Sequence, residues 1–264
     1  MNTTSASLAD AAAAPAAAAS VRIWDAPVRV VHWLAVLCFA GAWLSAESER
    51  WRLLHVSLGY TLAGLVAFRI VWGLAGSRHA RFASFVRGPA AVWRYLRSLP
   101  GAQPEHHVGH NPAGGWAILA LLALALGATA SGWACYEAGA AEWVAESHEA
   151  LATAMLALVV LHVAAVALSS RLHRENLVGA MLTGRKRAPP QEGVARSGAG
   201  VAALVVAAVL GFWGWQAGQA GQIPPAGSGP EAGSTAAGDP PAPAGARPAA
   251  RVGTDHDTDQ ADDD

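Results

Sequence analysis

The sequence predicts an all-α integral membrane protein: a helical bundle crossed by five apolar segments. Of its 264 residues 53% are hydrophobic and only 14% are charged, a balance too apolar for a water-soluble chain of this size. Five stretches are long enough to cross roughly 30 Å of hydrocarbon as helices. They run from Val28 to Ala46, Leu53 to Leu74, Ala113 to Ala134, His148 to Ser169 and Gly198 to Ala217. A spanning chain must satisfy its backbone hydrogen bonds internally, which makes these segments helices.

Basic residues near short loops are retained on the cytoplasmic side of a membrane. Arg78, Arg81, Arg87, Arg94 and Arg97 lie between the second and third spans, and Arg171, Arg174, Arg185, Lys186, Arg187 and Arg196 follow the fourth. The loop from Glu137 to Ser147 has three acids and no Lys or Arg. The expected topology is therefore a multi-pass protein of the bacterial inner membrane, with the amino terminus cytoplasmic and the carboxyl terminus periplasmic. Trp24, Trp33, Trp72 and Trp116 on one side, and Trp43, Trp51, Trp133, Trp143, Trp213 and Trp215 on the other, are expected as interfacial anchors.

Residues 1–20 are Ala-rich, without the basic start and apolar core of a secretion signal. They read as a disordered cytoplasmic tail. A bundle over residues 21–187 follows, then a linker and fifth span over 188–217. Residues 218–264, rich in Gly, Ala and Pro and ending in aspartates, read as a disordered acidic periplasmic tail. Cys38 and Cys135 stand alone on different spans, so no CxxC metal site and no covalent haem attachment is encoded. Both read as packing residues.

Chemistry concentrates in four histidines at span ends: His32, His55, His148 and His162. His148 and His162 are fourteen residues apart, which in a helix places them about 21 Å apart along the axis and within about 40° of one face. One helix thus offers ligands at two depths. Depth pairs His32 with His162 on the inner side and His55 with His148 on the outer side. Ionisable groups within spans are costly and mark function by default. Paired imidazoles at two levels suit the axial ligation of two stacked haems. Zinc is the weaker fit, since two imidazoles per level fall short of its usual four ligands.

Arg69 lies fourteen residues after His55, on nearly the same helix face and at the level of the inner pair. No Asp or Glu of the neighbouring spans is expected at that depth, so a haem propionate is its candidate partner; the alternative is that it snorkels to the interface. Arg29, near His32, reads in the same way. Small residues such as Gly59, Gly64, Gly127 and Gly132 would admit a flat macrocycle or a neighbouring helix. His110, in the turn before the third span, reads as part of a helix start, with a quinone pocket as the second possibility.

Several motifs together resemble the bacterial di-haem cytochrome b561 family, which also includes the cytochrome b subunits of nickel-iron hydrogenases. They are Trp24-Asp25-Ala26-Pro27-Val28-Arg29 leading to His32-Trp33, Phe68-Arg69-Ile70-Val71-Trp72-Gly73, Gly109-His110-Asn111-Pro112, the His148/His162 pair, and Glu175-Asn176-Leu177 through Thr183-Gly184-Arg185-Lys186-Arg187. The resemblance covers about residues 21 to 187. It implies a four-helix bundle with two haem b groups on His32, His55, His148 and His162; the one additional C-terminal span and the acidic tail fall outside the shared pattern. It also implies electron transfer between the quinone pool and a redox partner.

With both axial positions filled by His, haem iron exchanges electrons and leaves no open site for substrate. A periplasmic c-type cytochrome is the expected partner, and a larger membrane oxidoreductase such as a hydrogenase is the alternative, with this chain as its anchor. A homodimer is compatible and no nucleic acid is expected. The chain encodes no catalytic residue of its own. The competing reading of a different class is a haem-free transporter or sensor whose histidines relay protons.

Overall fold

The computed structural model describes residues 19–101 and 105–220. Most of the two tails expected from composition therefore lies outside the described residues. The chain forms β1 (Ala19–Arg22), α1 (Ala26–Ser45), α2 (Arg52–Ala75), the short α3 (Phe82–Phe85) and α4 (Pro89–Ser98). It continues with α5 (Pro112–Glu137), α6 (Glu142–Leu172), α7 (Leu177–Thr183), β2 (Arg185–Ala188) and α8 (Ala199–Ala220). Five of the helices are long and apolar enough to cross a membrane, and the protein is a multi-pass membrane protein.

The helix starts follow from local chemistry. Asp25 accepts the Val28 N–H at 2.9 Å, Asn111 accepts that of Gly114 at 2.7 Å, and Asn176 that of Gly179 at 2.6 Å. Each side chain satisfies a donor that the first helical turn leaves unpaired. Pro27 and Pro112 sit in the opening turns, where a missing N–H costs nothing. The fourth span starts at Glu142, six residues before its predicted beginning at His148. Its first turns carry Glu142 and Glu146, which hydropathy excludes but helical geometry accommodates.

The long helices pack in chain order: α1 on α2, α2 on α5 and α5 on α6, with α8 against α1. Among the described residues α6 has no comparably extensive contact with α1 or α2. The apolar core joins Val31 and Cys38 of α1, Leu58, Leu62, Leu65 and Val66 of α2, Ala125 of α5, Met155 of α6 and Val209 of α8. Cys38 is completely buried and acts as a small apolar packing residue. The additional span α8 is tied to α2 by the Trp213 indole donating to Thr61 Oγ1 at 2.8 Å.

One element is absent from the all-α expectation. β1 pairs antiparallel with β2, Ala19 opposite Ala188 and Arg22 opposite Arg185. A two-stranded ribbon is marginal alone; here it is backed by the buried cluster of Ile23, Trp24, Ala180 and Ala188. The ribbon closes the basic end of the bundle, with the Arg185 guanidinium donating to the Ser20 carbonyl at 2.6 Å.

The tryptophan expectation needs correction at three positions. Trp33, Trp43, Trp51, Trp116, Trp133, Trp143 and Trp215 are exposed, as anchors should be. Trp24 is buried, and the Trp72 and Trp213 indoles donate to Asp25 and Thr61 inside the fold. A partner for the indole N–H draws the Trp72 and Trp213 rings inward, and Trp24 packs into the apolar cluster with Ile23, Ala180 and Ala188.

Candidate functional site

At the acidic end of the bundle His55 of α2 and His148 of α6 face one another. Their ring centroids are 6.1 Å apart and their planes are inclined at 78°. The His55 Nδ1 lies 2.8 Å from the Ala42 carbonyl of α1, and the His148 Nδ1 lies 2.8 Å from the Ala128 carbonyl of α5. A carbonyl only accepts, so each Nδ1 carries the proton and each Nε2 keeps its lone pair. Backbone carbonyls orient metal-bound imidazoles in this manner. Neither carbonyl could be picked out from residue types, because any residue supplies one.

Gly132 makes the His148 position possible. A Cβ there would come within 2.9 Å of the His148 ring, so the absent side chain is what lets the imidazole lie against α5. Gly59 and Gly64 face open space instead.

At the basic end His32 of α1 lies within electrostatic range of His162 of α6. Both rings are half-buried. Arg69 of α2 and His110 at the start of α5 join the same neighbourhood, with Arg69 and His162 both acting electrostatically on His110. Arg69 is 9% exposed. Its guanidinium rests over the Phe82 ring at 5.0 Å, and its Nη1 is buried without a hydrogen-bond partner.

Asp25 supplies an acid that inspection of the spans alone misses. Its carboxylate is buried, caps α1, accepts the Trp72 indole N–H at 2.9 Å and acts electrostatically on Arg69. The signal was present in the sequence, since an Asp one residue before Ala26-Pro27 is an N-cap pattern. Arg29 donates to the Leu182 carbonyl and thereby clamps α1 to α7, while its Nε stays buried and unpaired.

His110 lies between the Trp24 ring, at 4.5 Å, and the Phe85 ring, at 4.6 Å. Burial, with Arg69, His79, His162 and Lys186 adding positive charge, lowers its pKa to about 3. It is therefore neutral at physiological pH, and its Nδ1 is buried without a partner. A cavity of about 310 Å³ opens beside it, lined by His79, Phe85, His107, Val108 and Pro112 among others.

An ion network closes this end. Lys186 of β2 meets the Glu175 carboxylate at 2.7 Å and donates to the Val108 carbonyl at 3.1 Å, and His106 meets Glu175 at 2.9 Å. Burial alone would raise the Glu175 pKa, but Lys186 and His106 together hold it below the ordinary carboxylate value.

Fold and chemistry together define a multi-pass helical membrane protein of the b-type cytochrome class. The chain belongs to the prokaryotic cytochrome b561 family, whose model matches residues 23–184. It is 23% identical over 215 residues to a probable Ni/Fe-hydrogenase B-type cytochrome subunit of Rhodobacter capsulatus, covering 63% of this chain and 81% of that protein. The corresponding protein of Rhizobium leguminosarum bv. viciae is 23% identical over 212 residues, covering 63% of this chain and 89% of its own. A probable Ni/Fe-hydrogenase 1 B-type cytochrome subunit of Escherichia coli strain K12 is 28% identical over 141 residues, 43% of this chain and 59% of that protein. No solved structure matches the chain.

The family implies haem b, and the residues present fit it. His55 and His148, 6.1 Å apart between ring centroids, would hold a haem iron, which would supply one-electron exchange there. Among the described residues neither Nε2 has a hydrogen-bond partner, while each Nδ1 is committed. At the basic end unpaired nitrogens of Arg69 and Arg29 await acceptors, as carboxylate-bearing ligands would supply. Among the described residues no three His, Cys, Asp or Glu side chains converge on one point.

Proposed function

We propose that this protein is a di-haem electron carrier of the inner membrane, passing electrons between the quinone pool and a redox enzyme or cytochrome outside the bilayer. The observation that carries the reading is the His55–His148 pair, with each Nδ1–H committed to a backbone carbonyl and each Nε2 free. His55 and His148 would hold the outer haem; His32 and His162 would hold the inner one. Haem iron supplies one-electron exchange at a potential set by its ligands, burial and nearby charge.

The protein's own residues then do the following. The Ala42 and Ala128 carbonyls hold the outer imidazoles in one tautomer and one orientation. Arg69 presents positive charge at the inner pair, moderated by Asp25. The cavity beside His110 supports a quinone headgroup at the inner end, where a neutral imidazole and the Phe85 ring could meet a carbonyl-bearing ring.

The basic loops favour an inside position for this end under the positive-inside rule. The Ni/Fe-hydrogenase subunits among the relatives favour a membrane oxidoreductase as the partner, over the small periplasmic cytochrome c that the short outer loops suggest. Residues 21–187 would form the electron-carrying unit, with the fifth span outside it.

Haem stoichiometry by pyridine haemochrome, with a reduced-minus-oxidised spectrum, tests the proposal. Two b haems per chain are expected, falling to one in His162→Ala and to one in His148→Ala. A haem-free protein would overturn the reading in favour of a histidine proton relay. Copurification with a hydrogenase-type enzyme or with a c-type cytochrome separates the two partner classes.

A further inference from the structure

We propose that the loop between α2 and α5 carries a specific binding site for the phosphate headgroup of an anionic phospholipid, with one acyl chain lying along α2. The site is a cavity of about 510 Å³ where α2 ends, adjoining the one beside His110 across Arg78 and Ser84. Its polar wall is Arg78, Arg81 and Ser84; its apolar wall is Gly73, Leu74 and Phe82. A cavity lined mainly by hydrocarbon, with two guanidinium groups on one wall, at the end of a membrane span, matches a headgroup joined to a tail.

The floor of the cavity is fixed by packing. Phe82 lies so close over Gly73 that its ring leaves no room for a Cβ there, and its face is held by Arg69 at 5.0 Å. The arginines therefore project from a rigid corner. Arg78 shares its charge with Glu192 at 3.1 Å, whereas Arg81 has no ion pair among the described residues. The site is net positive. No Asp or Glu occurs from Gly76 to Gln103, a stretch that carries five arginines. Basic pockets at such depths bind anionic headgroups.

Two further observations favour a lipid over a free anion. Gly64, Ala67, Val71 and Leu74 are all exposed and recur every three or four residues, so they form one stripe of α2 leading from the bilayer to the cavity. Its last members are largely uncovered, Val71 at 61% and Leu74 at 71% exposure. The neighbouring α4 buries Tyr95 against the bundle and exposes Trp93, with the Arg97 guanidinium over the Trp93 ring at 4.7 Å. That combination is the signature of a helix lying in the interface plane.

Native mass spectrometry of the full chain from detergent micelles, with dioleoyl-phosphatidylglycerol and dioleoyl-phosphatidylcholine added in turn, tests the site. The wild-type protein is expected to retain phosphatidylglycerol preferentially, and Arg81→Gln to weaken that retention roughly fivefold, the effect of one arginine near an anionic surface. Arg97→Gln should leave it unchanged, and millimolar inorganic phosphate should fail to displace the lipid. Equal retention of the two lipids by the wild-type protein would overturn the proposal without recourse to any variant. So would an equal loss in Arg97→Gln, which would reduce the effect to general loop charge, or displacement by phosphate, which would make the site one for a free anion.

Discussion

The His55 and His148 imidazoles meet at 6.1 Å, centroid to centroid, with their planes nearly perpendicular. They come from helices that do not pack along one another, and each ring is steered by a carbonyl of a third or fourth helix. This pair is thus set by all four helices of the bundle. The inner histidines have no such hydrogen bond among the described residues, which makes the two levels chemically unequal.

Gly132→Ala should damage the outer site selectively. Its Cβ would stand 2.9 Å from the His148 ring, and overpacking of this kind costs about 1–3 kcal/mol. Haem content should fall toward one per chain, with the spectrum of the inner centre retained. Full haem content with an unshifted spectrum would show that α5 can yield at this point.

Arg69→Gln should lower the reduction potential of the inner centre, because a buried cation favours the added electron. A shift on the order of 60 mV, tenfold in a one-electron equilibrium, is the expected scale. Potentiometric titration of the α-band resolves it, and Arg69→Lys should recover part of the shift. Asp25→Asn should move the same potential upward, since it removes the opposing charge, and should keep the cap of α1, because Asn caps a helix about as well as Asp.

Acid should destabilise the fold through His110. Its pKa falls from 6.5 to about 3, chiefly by burial and then by the cations around it. A group with a depressed pKa binds its proton in the unfolded chain first. Its contribution is therefore retained above pH 6.5 and lost as pH falls from there toward 3, with a limiting slope of about 1.4 kcal/mol per pH unit. Thermal unfolding in detergent between pH 7 and pH 4 should be steeper for the wild-type protein than for His110→Gln. Identical slopes would mean that the ring escapes its pocket before it protonates.

Removing the fifth span should leave the haem chemistry intact. All four candidate ligands precede residue 188, and α8 contributes packing and the Trp213–Thr61 hydrogen bond. A chain ending after Ala188 should keep its haem stoichiometry and lose thermal stability. Loss of haem on truncation would place α8 within the electron-carrying unit.

Much of this was legible in the linear chain. Apolar runs must become helices in a bilayer because their backbone groups have no other partner, so the five spans and the depths of His32, His55, His148 and His162 follow from length and composition. The caps at Asp25 and Asn111 are local chemistry within three residues, and the Asn-Pro step forecasts the start of α5. Helix ends were less legible: α6 begins at Glu142 because a helix can continue through acidic residues that hydropathy counts as loop.

Contacts between distant segments lay beyond reach. The ribbon of Ala19–Arg22 with Arg185–Ala188 joins residues more than 160 positions apart, and neither four-residue strand has a pattern that declares it. The same holds for Asp25 facing Arg69, for Trp24 folding over His110, and for the carbonyls of Ala42 and Ala128. The sequence by itself determined the membrane class, the spans and which imidazoles share a depth, because these depend on periodicity and on the cost of polar groups in hydrocarbon. Only the tertiary structure decided which nitrogen each outer imidazole leaves free and which charges stand beside the inner pair. Those depend on where separate helices bring backbone carbonyls and side chains together in three dimensions.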